Sequence, residues 1–373
     1  MDSGPAQVLL LWSALAAIAA VGAVWPPLNR TNYPVGNTVA GLDNYALPLA
    51  VILIVWFWSQ LVSTRAIATV VSRVIVTAML ANAVISIVAL FAGSYDATPW
   101  VKAFWMRGDE GGTAIATLAL TNGRYTGIFN QPAEAGICYS LSLFCLFYLT
   151  QVAKRPRTGC LALGGVLLAV GGVLTVSKVF LLCGLPLILF MVLRDRRGRI
   201  AFAFVLVSIL AIYQGLRQSE LLRNWYALPA IQALLDPTQA STSTLTAGRL
   251  GSGGTLAYVG DQVLEHNRWF GLGAGGVQAS YDSTWLEAIV TTGVVGTALI
   301  VAVLLALAVR WYRARGVQLR PEWTLAGATL VLAVGASLGM PSLTGNRVST
   351  VTWLLLSCLV LAHRQPGKQS VIP

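Results

Sequence analysis

Residues 159–193 read GCLALGGVLLAVGGVLTVSKVFLLCGLPLILFMVL, 35 positions with a single charge at Lys178. As one helix the stretch would be about 50 Å long, against a hydrocarbon core of about 30 Å. Cations crowd both flanks: Lys154, Arg155 and Arg157 before it, and Arg194, Arg196, Arg197 and Arg199 after it. Short loops rich in Lys and Arg stay on the cytoplasmic side of a membrane, so both ends of the stretch belong on one side. The chain must therefore cross and return, a hairpin of two membrane helices with Ser177 and Lys178 at its outer tip. No Gly or Pro announces that turn.

The rest of the chain extends the same reading. Hydrophobic residues make up 56% and charged residues 10% of 373, where a soluble domain carries about 25% charged. Apolar runs at 6–25, 45–63, 67–93, 133–153, 159–176, 179–193, 200–215, 284–309, 322–340 and 348–363 approach the length of a membrane helix. They are continuous rather than alternating, which favours helices over a β-barrel. The expectation is an all-α polytopic membrane protein with ten to twelve transmembrane helices, residues 1–373 forming one integral membrane domain. Residues 6–25 read as a first membrane helix rather than a signal peptide, because the segment before them has no cation and carries Asp2.

A third cationic cluster, Arg310, Arg313, Arg315 and Arg320, falls in another short loop. With all three clusters inside, both termini are cytoplasmic and the polar segments 26–44, 94–132 and 216–283 face outward. The net charge of +11 thus lies in membrane-flanking loops and implies no nucleic-acid partner. Within 94–132, Trp100, Phe104, Trp105 and Met106 around Lys102 and Arg107 predict a short interfacial helix. The 216–283 loop is long enough to be functional. Its first part, Glu220–Leu235, predicts an amphipathic helix, and Gly248–Gly276, with nine glycines, an irregular cover over the outer mouth of the bundle. Residues 365–373 read as a disordered cytoplasmic tail. All five cysteines fall in apolar spans and read as buried thiols, with no disulfide framework and no metal-ligand spacing.

Residues 271–276, GLGAGG, match G-x-G-x-x-G. A dinucleotide site needs a preceding strand and an acidic residue about 20 positions on; here Asn267, Arg268, Trp269 and Phe270 precede it and position 296 is glycine. No P-loop and no Asp-x-Asp pair appears either, so the sequence implies no nucleotide cofactor and no metal. Sugar chemistry in such a chain would draw on lipid-linked donors.

GRYTGIFNQP at 123–132 resembles the Arg-x-x-Gly-x-Phe-x-x-Pro stretch of the O-antigen ligase and polysaccharide polymerase family of bacterial membrane proteins. LTVSK at 174–178 is similar to that family's Ser-Arg pair opening a span, and Gly248-Arg249 to the arginine before its glycine-rich loop. WFGLG at 269–273 resembles its Phe-Gly-x-Gly element. DSTWLE at 282–287, with Gly293 and Gly296, resembles its last motif. The resemblance covers about 115–310. It implies a glycosyltransferase-C-like fold in the cytoplasmic membrane of a bacterium, with a cofactor-free active site on the outer face. The implied activity moves a growing glycan from its polyprenyl diphosphate to a new lipid-linked repeat unit. Implied partners are the polyprenyl-diphosphate-linked oligosaccharide, membrane lipids, a flippase and a chain-length regulator.

Two positions depart from the pattern. Asp282 and Ser283 stand where the ligase branch has His-Asn, which shifts the reading from ligase to polymerase. Lys178 stands for the arginine of the Ser-Arg pair, keeping the charge without the bidentate fork. Without a metal, guanidinium groups must neutralise the leaving diphosphate, and Arg124, Lys178 and Arg249 are the candidates, backed by Arg223 and Arg347. Attack by a sugar hydroxyl also calls for a base. Asp282 and Glu287 are the candidates, with His266 third; Asp282 also reads as an N-cap, and Glu287 as a partner for an arginine. The alternatives are a ligase that moves the finished glycan to lipid A core or another acceptor, and a lipid-linked-sugar transporter. The hairpin is directly testable: in a background without native cysteines, a Lys178→Cys probe should be labelled from outside intact cells. Labelling that appears only after the membrane is breached overturns the hairpin.

Overall fold

The computed structural model describes residues 4–24, 36–92, 101, 110–153, 158–194, 255–277, 281, 283–316 and 320–361. All regular elements among them are helical. In chain order they are α1 (Gly4–Val24), α2 (Thr38–Leu61), α3 (Thr64–Ala92), α4 (Glu110–Thr121), α5 (Pro132–Val152), α6 (Thr158–Leu174), α7 (Leu185–Arg194, entered through a π-helical turn Phe180–Gly184), α8 (Thr255–His266), α9 (Thr284–Arg313), α10 (Arg320–Ala336) and α11 (Asn346–Leu356, continued by a π-helical turn Ser357–Leu361). Five of them, α1, α2, α3, α5 and α9, are long and apolar enough to cross a membrane, and α6, α7 and α11 are shorter apolar helices. The described residues are those of a helical, polytopic membrane protein. The expected span at 200–215, the interfacial helix and the Glu220–Leu235 helix lie outside the described residues.

The helices fall into two compact units, Met1–Val71 with Thr246–Pro373, and Ser72–Leu245. In the first, α1 packs on α2 and α9, α2 on α11, α8 on α9, and α10 on α9 and α11. Its centre is Trp12, fully buried, edge-on to Trp353 with ring centroids 4.8 Å apart. A buried indole needs an acceptor. Trp12 donates to the Tyr45 carbonyl and Trp353 to the Leu343 carbonyl, each at 2.9 Å. Where α9 turns into α10, Trp311 and Trp323 stack at 4.6 Å and each indole donates to the other's carbonyl.

Helix α9 is not the continuous span expected over 284–309. At Gly293 φ is 65° and ψ −161°, far from helical values near −63° and −42°. In an unbroken helix the carbonyls of Val290 and Thr291 would accept from Val294 and Val295. Here they accept from Leu272 (2.7 Å) and Gly273 (2.9 Å), while Val294 and Val295 donate to the carbonyls of Arg268 (2.9 Å) and Trp269 (3.1 Å). The 268–273 segment replaces the missing helical bonds one for one. Ala274 then donates to the Ala19 carbonyl of α1, and Gly36, just before α2, to that of Gly275.

This arrangement corrects the expected cover at Gly248–Gly276. Residues 255–266 are helical, and 268–277 insert among α1, α2 and α9 instead of lying over them. The glycines serve close backbone approach. A Cβ on Gly271 would stand 2.7 Å from the Gly293 nitrogen, and one on Gly293 would stand 2.5 Å from the Trp269 carbonyl carbon.

In the second unit, α5 packs on α6, on the π-helical turn and on α7. The expected hairpin is present, with its turn at 175–177 between α6 and the helical residues from 178. Val176 supplies the positive φ, 49°, that Gly would normally supply, which is why the sequence shows no turn signal. Thr175 holds the turn by donating to the Gly172 carbonyl (2.6 Å) and accepting from the Ser177 amide (3.2 Å). One expectation for the cysteines fails: Cys138, Cys145 and Cys358 are buried, but Cys183 is half-buried and Cys160, in the first turn of α6, is exposed.

Gly293→Ala meets both a backbone conformation that only glycine adopts readily and a carbonyl clash. Each such conformation costs about 1–3 kcal/mol before the clash is counted. The variant should yield little monodisperse protein in detergent size-exclusion chromatography. Gly159→Ala, where a Cβ meets nothing within 4 Å, should behave as wild type.

Candidate functional site

In the second unit, the 123–132 loop is built onto the hairpin tip. The Tyr125 amide donates to the Leu174 carbonyl at 2.9 Å, and the Tyr125 ring packs with Ala89, Leu174 and Val176. Asn82 of α3 holds the loop's other side. Its carbonyl oxygen accepts from the Ile128 amide (2.8 Å), and its amide donates to the Thr126 carbonyl (3.2 Å) and the Tyr139 hydroxyl (3.0 Å). Gly127, at φ 67°, leaves room for this, since a Cβ there would fall 2.1 Å from the Asn82 oxygen. Pro132 then opens α5 at a position where no amide is needed, and Glu134 in its first turn complements the helix dipole. Arg124, on this loop, and Lys178, the first helical residue after the 175–177 turn, are both half-buried and thus sit some fifty residues apart in sequence on segments joined backbone to backbone.

In the first unit, Glu287 lies in the first turn of α9 and is 3% exposed. A carboxylate in an apolar bundle must be hydrogen-bonded to be tolerated. Thr344, from the turn between α10 and α11, donates its hydroxyl to Glu287 Oε2, and the Asn44 side chain of α2 also hydrogen-bonds the carboxylate. Among the described residues these groups, and not an arginine, are its partners, which corrects the expected ion pair. One turn on, the Thr291 hydroxyl lies 2.5 Å from the Tyr45 hydroxyl and donates to the Glu287 carbonyl at 2.6 Å.

The start of α9 is tied to the same turn that carries Thr344. The Thr284 amide (3.0 Å) and the Ser283 hydroxyl (3.1 Å) donate to the Ser337 carbonyl, and the Thr284 hydroxyl to that of Met340 (3.3 Å). Ser283 is the N-cap, accepting from the Trp285 amide at 3.1 Å. The cap expected at Asp282 therefore falls one residue later. Tyr281 stands within electrostatic reach of Glu287. Its hydroxyl is buried and has no hydrogen-bond partner among the described residues. Burial, and then the Glu287 carboxylate, raise this phenol above its ordinary value.

The structure gathers some of the sequence candidates and leaves others apart. Glu287 is at the centre of the polar cluster, and Arg347, exposed, is the second residue of α11, three residues after Thr344. His266 ends α8, with its side chain outside the described residues, as are Asp282, Arg249 and Arg223. Asn44, Tyr45, Tyr281, Thr291 and Thr344 were not legible as site residues, nor was Asn82. Their signal was a polar group inside or beside an apolar run, a pattern shared with many structural residues. Among the described residues no three His, Cys, Asp or Glu side chains converge as metal ligands would. No protein-family model and no curated protein matches the chain.

Two substitutions in the cluster should move stability in opposite directions. Tyr281→Phe removes a buried hydroxyl with no partner among the described residues, and Thr344→Val removes the donor to a buried carboxylate oxygen. An unsatisfied buried polar group costs about 1–3 kcal/mol. The Tm in detergent should rise for the first variant and fall for the second; equal shifts of one sign refute the hydrogen-bond assignment.

Proposed function

We propose that the protein is a polymerase of lipid-linked polysaccharide repeat units, with a glycosyltransferase-C-like arrangement of ten to twelve membrane helices. It works on the outer face of a bacterial cytoplasmic membrane. The observation that carries this reading is the hydrogen bond from Tyr125 to Leu174. It joins two of the motif stretches on which the family resemblance rests, and with them the cations Arg124 and Lys178. A pair of unrelated loops would have no reason to bring two non-cytoplasmic cations onto one support.

The chemistry follows from the donor. A hydroxyl of the new repeat unit attacks the anomeric carbon of the growing glycan, and the bond to the diphosphate oxygen breaks. The departing diphosphate takes the electron pair, so its growing charge must be met by fixed donors. Arg124, Lys178 and Arg249 are the candidates for that role, with Arg223 and Arg347 as second choices. The attacking hydroxyl gives its proton to a carboxylate. Asp282 takes that role ahead of Glu287, because the Glu287 carboxylate is enclosed and already hydrogen-bonded by Thr344 and Asn44. Glu287 instead fixes the start of α9, immediately after Asp282, and His266 is the third candidate base.

Asp282 in place of histidine favours a polymerase over a ligase. The broken α9 favours a second reading, a transporter, in which discontinuous helices bind substrate through their free ends. At Gly293, however, the four freed backbone groups are already bonded to 268–273, which leaves no open ends for a substrate.

Purified protein supplied with diphosphate-linked repeat units alone separates the readings. Chain extension supports the polymerase, transfer that requires a second acceptor supports the ligase, and translocation without transfer supports the transporter. Arg124→Ala should lower transfer by on the order of 10²-fold, and Arg124→Lys should recover little of it. Asp282→Asn should stay folded and lose about 10²–10⁴-fold. Near-wild-type turnover in Asp282→Asn removes it as the base.

A further inference from the structure

The repair of α9 also fixes three side chains with no role so far. The carbonyls of Arg268 and Trp269 are bonded to Val294 and Val295, so this backbone is held at a set level along the helix. From Ala288 to Val309 α9 runs 22 residues without a charge, between Glu287 and Arg310. Its unbroken part, the 16 residues from Val294 to Val309, is about 24 Å long at 1.5 Å per residue, most of a hydrocarbon core of about 30 Å. Val294 begins that part, about 24 Å from its Arg310 end.

At that level the chain presents an exposed guanidinium and two exposed rings. Trp269 is 58% and Phe270 54% exposed. The Arg268 guanidinium lies 5.7 Å from the centre of the Trp269 ring, and among the described residues it forms no ion pair, Glu265 three residues earlier included. A cation within reach of lipid tails is costly unless it rises to the headgroups or meets an anion. The two rings beside it offer an apolar surface for a hydrocarbon chain. An anion on a long hydrocarbon chain satisfies both halves of the surface at once.

We infer that Arg268, Trp269 and Phe270 form the docking surface on which a polyprenyl diphosphate arrives sideways from the membrane, its phosphate at Arg268 and its isoprenoid chain along the two rings. The inference rests on the lipid-diphosphate reading above. The backbone that carries Arg268 is bonded through 268–273 to residues 290, 291, 294 and 295 of α9, the helix whose first turn holds Glu287. Arg268 is exposed and its side chain makes no hydrogen bond that supports the fold among the described residues, so its removal should leave the protein intact.

The test is binding of unsubstituted polyprenyl diphosphate to the full-length protein in nanodiscs containing phosphatidylglycerol, read by native mass spectrometry. Arg268→Gln should weaken diphosphate-lipid binding at least tenfold and leave retained phosphatidylglycerol unchanged, with smaller losses for Trp269→Ala and Phe270→Ala. Wild-type affinity in Arg268→Gln overturns the docking surface while the polymerase reading stands. Equal loss of phosphatidylglycerol also overturns it, since the site would then be a general headgroup contact. Absence of binding by the wild-type protein overturns both readings, whereas binding without any glycan transfer overturns the polymerase alone.

Discussion

Four backbone hydrogen bonds at the break in α9 hold the first unit together. Gly293 leaves two carbonyls and two amides without helical partners inside an apolar segment, and residues 268–273 satisfy all four. In a membrane each such group left unpaired costs several kcal/mol, so four together reach the order of a whole domain's stability, about 5–15 kcal/mol. The break can exist only with the loop in place, and the loop can lie at that depth only because the break offers it bonds. Its further contacts to Ala19 and Gly36 then fix α1 and the start of α2 around the same point.

That constraint determines what happens at the start of α9. The helix before Gly293 is short and points its first turn at the 337–344 segment, which receives it through Ser283, Thr284 and Glu287. Hydroxyl and amide partners satisfy the Glu287 oxygens without adding a second charge to an apolar bundle. An arginine there would bring its own desolvation penalty, which can exceed the attraction it supplies. The consequence for chemistry is a carboxylate that is well held and already occupied, a better anchor than a base.

The sequence made the helices legible because an apolar run of membrane length has few other interpretations, and the hairpin legible because both flanks of 159–193 are cationic. What it hid was backbone geometry. Gly293 sits in an apolar run where a lone glycine reads as a helical residue tolerated at about 1 kcal/mol, so nothing marked the break. The glycines of 271–276 announced freedom at single residues but not which backbone they would approach. Val176 concealed the hairpin turn by adopting a conformation that valine rarely takes. The cap moved from Asp282 to Ser283 because both residues are good N-caps and the choice fell to a tertiary partner, Ser337. The Tyr45, Thr291 and Thr344 cluster was out of reach for the same reason: its meaning depends on pairs separated by 246 and 57 residues.

Both units fix a cation-bearing loop in the same way. On the proposed reading these cations meet a diphosphate, and such a cation is most useful when its support does not have to reorganise, yet a loop beside a membrane has little hydrophobic core of its own. In each unit the motif loop is instead fixed by close backbone approach at glycine: Gly127 against the Asn82 amide in one, Gly271 against Gly293 in the other. The side chains carried by those loops, Arg124 in the first case and Arg268 in the second, inherit a rigid base from bonds that involve no charge. Placement and charge are thereby supplied by different residues, so a substitution at the cation can change binding or chemistry while the glycine contacts keep the loop where it was.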